Sequence, residues 1–584
     1  MTAQTRLTGP ADTSAAPDQD RISRSSWMVL VCCLIAVSVQ MVDMTIVNIA
    51  LPSLGADLGA SSGQQLLVLS AYTLAFACFL LTSSRLGERF GRRRVFIVAL
   101  TGFTVSSVLC GGAQGATELI VLRACQGAFA ALASAQTLAI ISISFPKRKH
   151  GIVFGIYGAV AGVAAMLGPT LGGLLISTDL FGLGWRTIFL VNLPLGVVAC
   201  GVGFLYLPAL TSTTRPTLDV VGIILSTTAL FLLIYPLATG REKGWPSWQI
   251  VMLIVSALLL AVFVLHEHRL ARRGADPLLA LSLFRNRSFA VGTALCLLFF
   301  SVFAAFFFTV SVTAQFGLGF SALKTGLLTL PFALGAAVGS VLSPLAVRWI
   351  GSRTLTVGAL TFIAALVYTA VVVNPAAAEI SIPAIIPPLV AGGIGMGLFV
   401  APLQATMLSD TSESNIGSAS GTVPTIQQIG ASIGLAAISL LFFNQVAAQS
   451  DSAVSTAATS LTRDLADTAV SESVQPMVVD EFTRCATAQL GSAHPDAPAP
   501  GCPDTREDVP AQPDTLQAKV AADAEPALRP AAEQAAAQTF LAAFDVVLWS
   551  LVALTVVLAA FTCGLRVRGR PEDPLLPISP PTLT

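Results

Sequence analysis

Arg85-Leu86-Gly87-Glu88-Arg89-Phe90-Gly91-Arg92-Arg93-Arg94 is a short, strongly basic stretch set between two apolar runs, 66–84 and 95–115. Each run is about as long as the ~20 residues an α-helix needs to cross the hydrocarbon of a bilayer. Lys and Arg concentrate in cytoplasmic loops, so a basic loop between two such helices marks the cytoplasmic face. This one stretch therefore predicts a membrane protein and an orientation for two of its spans.

Further apolar runs of spanning length lie outward from it on both sides. They fall at 27–51, 117–141, 152–177, 186–208, 218–238 and 247–266, then at 290–312, 325–347, 355–374, 382–403, 418–443 and 539–565, for fourteen predicted spans. Helices satisfy their own backbone hydrogen bonds, which lipid does not do for them. The first run is too long for a signal-peptide core and reads as a retained span. Composition agrees: 54% of the 584 residues are hydrophobic and only 11% charged, against about a quarter charged in soluble domains. A soluble enzyme, a nucleic-acid binder and a disordered scaffold are excluded.

The remaining basic clusters extend the orientation. Lys147, Arg148 and Lys149 fall between spans 4 and 5, and Arg269, Arg272, Arg273, Arg285 and Arg287 between spans 8 and 9. With Arg566, Arg568 and Arg570 after span 14, they place both termini in the cytoplasm. The long segment 445–538 is then external. It carries fourteen acidic and five basic residues, a net of −9, so the balance of 32 acids against 32 bases hides +9 elsewhere. Its Ala-, Pro- and Ser-rich composition predicts partial disorder. Cys485 and Cys502 share this oxidising side, either bridged as a disulfide or free in a mobile loop. The other eight cysteines lie within spans, where they read as small apolar packing groups.

No G-x-x-x-x-G-K-[ST] loop is present, so the chain carries no ATP motor of its own. No nucleophilic triad is apparent. His266-Glu267-His268 has no further ligand near it in sequence, and no metal or other cofactor is expected. A polytopic protein of this kind reads as a secondary transporter rather than an enzyme. Ionisable groups within spans are costly unless they face a cavity or a partner. Asp43 lies deep in span 1 and Arg123 in span 4, and counted from the outer ends at 1.5 Å per residue their depths differ by roughly 5 Å. Burial raises a carboxylate's proton affinity and a neighbouring Arg lowers it, so a conformational change could load and release a proton at Asp43. A satisfied structural pair locking two helices is the other reading.

Four segments in order resemble signatures of the major facilitator superfamily. The stretch from Arg85 to Arg94 is similar to its loop 2–3 motif, Leu122-Arg123-Ala124-Cys125-Gln126-Gly127 to its helix 4 motif, and Gly158, Gly162, Gly168-Pro169 and Gly172-Gly173 to its helix 5 antiporter motif. Asp43-Met44-Thr45-Ile46-Val47-Asn48-Ile49-Ala50-Leu51-Pro52 resembles helix 1 of the fourteen-helix drug:proton antiporters of EmrB/QacA type, and Trp185-Arg186…Phe189…Asn192-Leu193-Pro194…Gly196 adds to the likeness. Ser84 stands where the loop pattern has Gly, and Glu88 where it has Asp. The resemblance implies an all-α membrane protein of major-facilitator fold, two six-helix halves with two inserted helices. The chain then divides into a cytoplasmic tail (1–26), a first half (27–208), the inserted pair and its linker (209–289), helices 9–13 (290–444), the outer loop (445–538), helix 14 (539–565) and a second tail (566–584).

The resemblance also implies roles. Glu88, with Arg89, Gly91 and Arg92, would switch access states by docking on a neighbouring helix. Gly168, Pro169 and Gly172 would make a pliable or proton-tight helix favouring export. On physical grounds Gly91 suits a turn with positive φ, and Arg92, Arg93 and Arg94 would anchor to anionic lipid headgroups. A cavity between the halves draws polar candidates from Gln40, Asn48 and Gln126, with Phe303 from an i, i+4 stripe of Phe299, Phe303 and Phe307, for which core or lipid packing is the alternative. The expected protein is a monomeric, proton-coupled exporter of amphipathic drugs in a bacterial plasma membrane, with small molecules, protons and lipids as partners and no nucleic acid. A same-fold importer or an exporter of lipids or endogenous metabolites, and a non-transporting receptor using the outer loop, are the alternatives.

Overall fold

The computed structural model describes residues 24–179, 182–208, 217–241, 243–409, 411, 415–491, 502 and 516–562. The first thirteen spans form α1 (Arg24–Leu58), α2 (Ser62–Phe90), α3 (Arg92–Gly112), α4 (Ala116–Ser144), α5 (His150–Thr178), α6 (Gly184–Tyr206), α7 (Val220–Thr239), α8 (Ser247–Arg272), α9 (Arg287–Val312), α10 (Ala322–Ile350), α11 (Arg353–Val372), α12 (Ile382–Ser409) and α13 (Ile416–Asp464). A further amphipathic helix, α14 (Gln475–Leu490), precedes the last span, α15 (Leu516–Thr562). Fourteen helices among the described residues are long and apolar enough to cross a membrane.

Local chemistry sets several of the boundaries. Ser61 and Gln64 form a reciprocal capping box at the start of α2, satisfying amides that the helix itself leaves open. Asp219, Asn286 and Ser321 cap α7, α9 and α10 through their side chains. Gly91 breaks α2 from α3 at φ +92°, and Gly351 breaks α10 from α11 at φ +59°. The two basic turns thus occupy equivalent places in the two halves.

Helix packing repeats in the same way. A Cβ on Gly168 of α5 would strike Thr45 Oγ1 and come within 2.9 Å of Val42 O on α1. On α13, a Cβ on Gly434 would likewise strike Ser301 O of α9. The first helix of each half is therefore packed backbone-close against the fifth. Between halves, α5 lies along α10, with Pro169 packed on Gly326 and Gly155 facing Ser340 O. A second seam brings α2 to α13, where Leu80 O and Ser84 meet Gly421. The inserted α7 and α8 join each other through Ser256 Oγ, which donates to Ala229 O at 2.8 Å. They rest on α2 and leave most of α8 on the periphery, since only 17% of its apolar window is buried.

Within 445–538 the described residues are mostly helical, and residues 492–501 and 503–515 lie outside the described residues. α13 continues unbroken past residue 444 to Asp464, and α15 begins well before residue 539. Val454, Ala457 and Leu461 of α13, Phe482 and Leu490 of α14, and Ala524, Ala527 and Ala531 of α15 share one buried core with the second half. Composition hid this, because alanine at helical spacing makes a packing face without looking hydrophobic. Cys485 and Cys502 are joined as a disulfide. Residues 1–23, the tail 566–584 and Cys563 lie outside the described residues.

Candidate functional site

Asp43 is the centre of a sealed polar cluster in the first half. Its Oδ2 accepts from Arg123 Nη1 at 2.6 Å, and its Oδ1 accepts from Gln126 Nε2 and Asn192 Nδ2 at 2.8 Å each. Arg123 also donates to Gln126 Oε1 at 2.7 Å and to Val68 O at 3.4 Å. The guanidinium carbon lies 4.4 Å from the centroid of the Tyr72 ring, within cation–π range. Ser107 Oγ accepts from Asn192 Nδ2 at 3.0 Å and donates to Phe189 O at 2.9 Å. Five helices, α1, α2, α3, α4 and α6, thus converge on one carboxylate, and Asp43 and Gln126 are fully buried.

The composition of this cluster has a chemical consequence. Three donors, one of them charged, converge on the Asp43 carboxylate. Its charge is balanced by a single cation, so protonation of Asp43 would leave Arg123 without its counter-ion inside an apolar bundle.

The other expected site residues are distributed differently. Gln40 is buried and donates to Ala130 O at 3.1 Å. Asn48 is exposed and donates to Thr45 O of its own helix. Gln126 belongs to the Asp43 cluster instead of lining an open space. Phe303 is half-buried among Phe299, Phe300, Phe307 and Phe332, with ring centroids 4.9–6.3 Å apart, which is aromatic core packing of the second half. Asn192, Ser107 and Tyr72 were not singled out by sequence. Asn192 stood in the quoted helix 6 segment, where an amide inside an apolar span was the available signal.

The basic turn forms a second constellation. Glu88 is buried and pairs with Arg85 at 2.5 Å and with Arg92 at 3.6 Å. Its carboxylate lies directly against Gly417 in the first turn of α13. Helix N-termini favour negative charge, and Glu88 lies at this one, where α2 of the first half meets α13 of the second. Arg92 is only 7% exposed, which corrects its assignment as a headgroup anchor: it turns inward to Glu88. Arg93 packs over Phe204, and Arg89 over Phe90.

These arrangements reside on a chain whose residues 33–435 match the Major Facilitator Superfamily. The chain belongs to the major facilitator superfamily. Relatives include the "Probable actinorhodin transporter" of Streptomyces coelicolor, 33% identical over 97% of this chain and 95% of that protein. The "Puromycin resistance protein pur8" of Streptomyces alboniger is 35% identical over 74% and 85%. The "Tetracenomycin C resistance and export protein" of Streptomyces glaucescens is 30% identical over 72% and 76%. Among solved structures, that of the proton:xylose symporter XylE is similar at a TM-score of 0.50 and 13% identity, covering 71% of this chain and 88% of that one; it bears on the fold alone. As a major facilitator the protein is a multi-pass membrane transporter of small molecules, not an enzyme.

Proposed function

We propose that this transporter exports amphipathic, drug-like compounds in exchange for protons. The observation carrying the reading is the Asp43–Arg123 pair, buried in a chain with no phosphate-binding loop. Alternating access would rearrange α1 against α4 and part Asp43 from Arg123, and Asp43 would carry the coupling proton in that exchange. The named relatives supply the compound class: actinorhodin, puromycin and tetracenomycin C are the first cargoes to try. The protein is read as a monomer in a bacterial plasma membrane, its termini in the cytoplasm, and its basic turns among anionic headgroups. That orientation places the disulfide-bonded cap outside. The described part of the cap shares a buried core with the second half, which favours a transporter with an accessory outer layer over a receptor.

Reconstituted protein in vesicles with an imposed pH gradient tests the reading. Exchange predicts substrate flux opposite to the proton flux, with collapse of the gradient abolishing accumulation. Flux in the same direction as protons would identify an importer, and flux indifferent to the gradient would refute coupling.

A further inference from the structure

A second titratable cluster lies 219–280 along the chain, outside the Asp43 site. Glu267, near the end of α8, is fully buried. Its Oε2 accepts from Leu279 N at 3.0 Å, whereas its Oε1 is buried with no donor reaching it. Asp219, capping α7, is 6% exposed. It accepts from Gly222 N at 2.9 Å and faces His266 Nε2 at 3.0 and 3.1 Å. Asp219 Oδ2 and Glu267 Oε1 both crowd the same face of Gly222, where a Cβ would meet the two of them. Two carboxylates therefore face one another, and one of them carries an unmet acceptor. A single proton supplies the missing donor and removes the like-charge repulsion at once.

The segment that Glu267 holds is itself tied to the gate. Asp276 accepts from Thr217 N at 3.0 Å. The Arg85 guanidinium donates to Leu278 O at 3.2 Å and to Pro277 O. Ala280 N donates to Ser418 Oγ of α13 at 2.9 Å, one residue beyond the Gly417 against which Glu88 lies. Residues 276–280 are thus a strap across the inserted pair, α2 and α13. The charged and titratable groups around the site are Asp219 from α7, His266 from α8, Arg85 from α2 and Asp276 from the strap, while α13 contributes the hydroxyl of Ser418.

We propose that Asp219 and Glu267 bind one proton between them, forming a second protonation site that latches the inserted helix pair to the gate between the halves. With the proton bound, Glu267 Oε1 is satisfied and Leu279 stays fixed. With it lost, two facing carboxylates repel, Glu267 lets go of the Leu279 amide, and the strap's contact with Ser418 loosens. The titration of this pair is shared and belongs to neither residue alone. The latch rests on the alternating-access reading of the gate but not on Asp43 carrying the coupling proton.

Infrared titration of the full-length protein in lipid vesicles reads the shared proton directly. The wild type should show a protonated-carboxyl carbonyl band at neutral pH that disappears toward alkaline pH. The band should be absent in Glu267→Gln, altered in Asp219→Asn, and retained in Asp43→Asn. Across the same titration, exchange of the Leu279 and Ala280 amides should rise by about tenfold beyond ordinary base catalysis, the scale of one lost hydrogen bond. Glu267→Gln should abolish that rise, and Asp219→Asn serves as the second variant should Glu267→Gln not fold. No band in the wild type, a band unchanged in both variants, or a band lost only in Asp43→Asn would overturn the proposal. Failure of proton-driven efflux would leave this band in place, so the two readings fail separately.

Discussion

Asp43 and Arg123, eighty residues apart in sequence, meet at 2.6 Å with both side chains at most 1% exposed. Each is the other's counter-ion, and Gln126 and Asn192 both donate to the other carboxylate oxygen, Oδ1. Breaking one side of such a pair strands a charge in low dielectric, while losing both sides does not.

Removing Arg123 alone should therefore be severe. Arg123→Ala is expected to cost about 3–5 kcal/mol, read as a large fall in the thermal midpoint of the purified protein. Asp43→Asn combined with Arg123→Gln should recover much of that loss without recovering transport. Arg123→Lys should keep the charge yet lose the contact with Val68 O and the stacking on Tyr72, because lysine lacks the planar fork.

The close approach of α1 and α5 gives a steric prediction. Gly168→Ala puts a methyl into Thr45 and Val42 O, and such overpacking costs about 1–3 kcal/mol. Gly162→Ala, with open space around it, is the matched control. Thermal stability and gradient-driven flux should both drop in the first and stay near wild type in the second.

At the basic end, Glu88→Gln should loosen the seam between α2 and α13. A negative charge at a helix N-terminus is worth about 0.3–1 kcal/mol, and up to about 2 where partly buried, so Ser84→Cys in that background should react with a water-soluble maleimide severalfold faster. Unchanged labelling would show that Glu88 does not hold this gate.

Much of this architecture was legible in the primary structure, for identifiable reasons. Spans announce themselves by length and apolarity, and Asp43 and Arg123 stood out because charges within spans are so few. Asn192, Ser107 and Tyr72 did not, since uncharged polar groups are common in membrane helices and only the fold brings them to one point. Asp219 and Glu267 were separately visible, but no local spacing predicts that the cap of α7 faces the end of α8. The outer cap was hidden by its composition, which counted acids and prolines and missed the periodic alanines. Arg92 was misplaced because a run of three arginines reads as a uniform headgroup anchor, whereas the break at Gly91 brings the first back beside Glu88.

The disulfide offers a separable prediction. Closing a loop of about this size contributes roughly 3 kcal/mol by restricting the unfolded chain. Cys485→Ser with Cys502→Ser should therefore increase proteolysis of the outer cap while leaving most proton-driven efflux intact. Loss of efflux would mean that the cap is part of the transport path.

The most direct test is proton-coupled efflux by the Asp43→Asn protein in vesicles, measured beside substrate binding. Asparagine keeps the shape and one acceptor oxygen but cannot carry the proton, and because it leaves Arg123 without its counter-ion, Asp43→Asn with Arg123→Gln is measured beside it. Binding should persist and facilitated exchange down a substrate gradient should continue, while accumulation driven by a pH gradient should vanish. Accumulation at the wild-type rate would contradict the central role of Asp43.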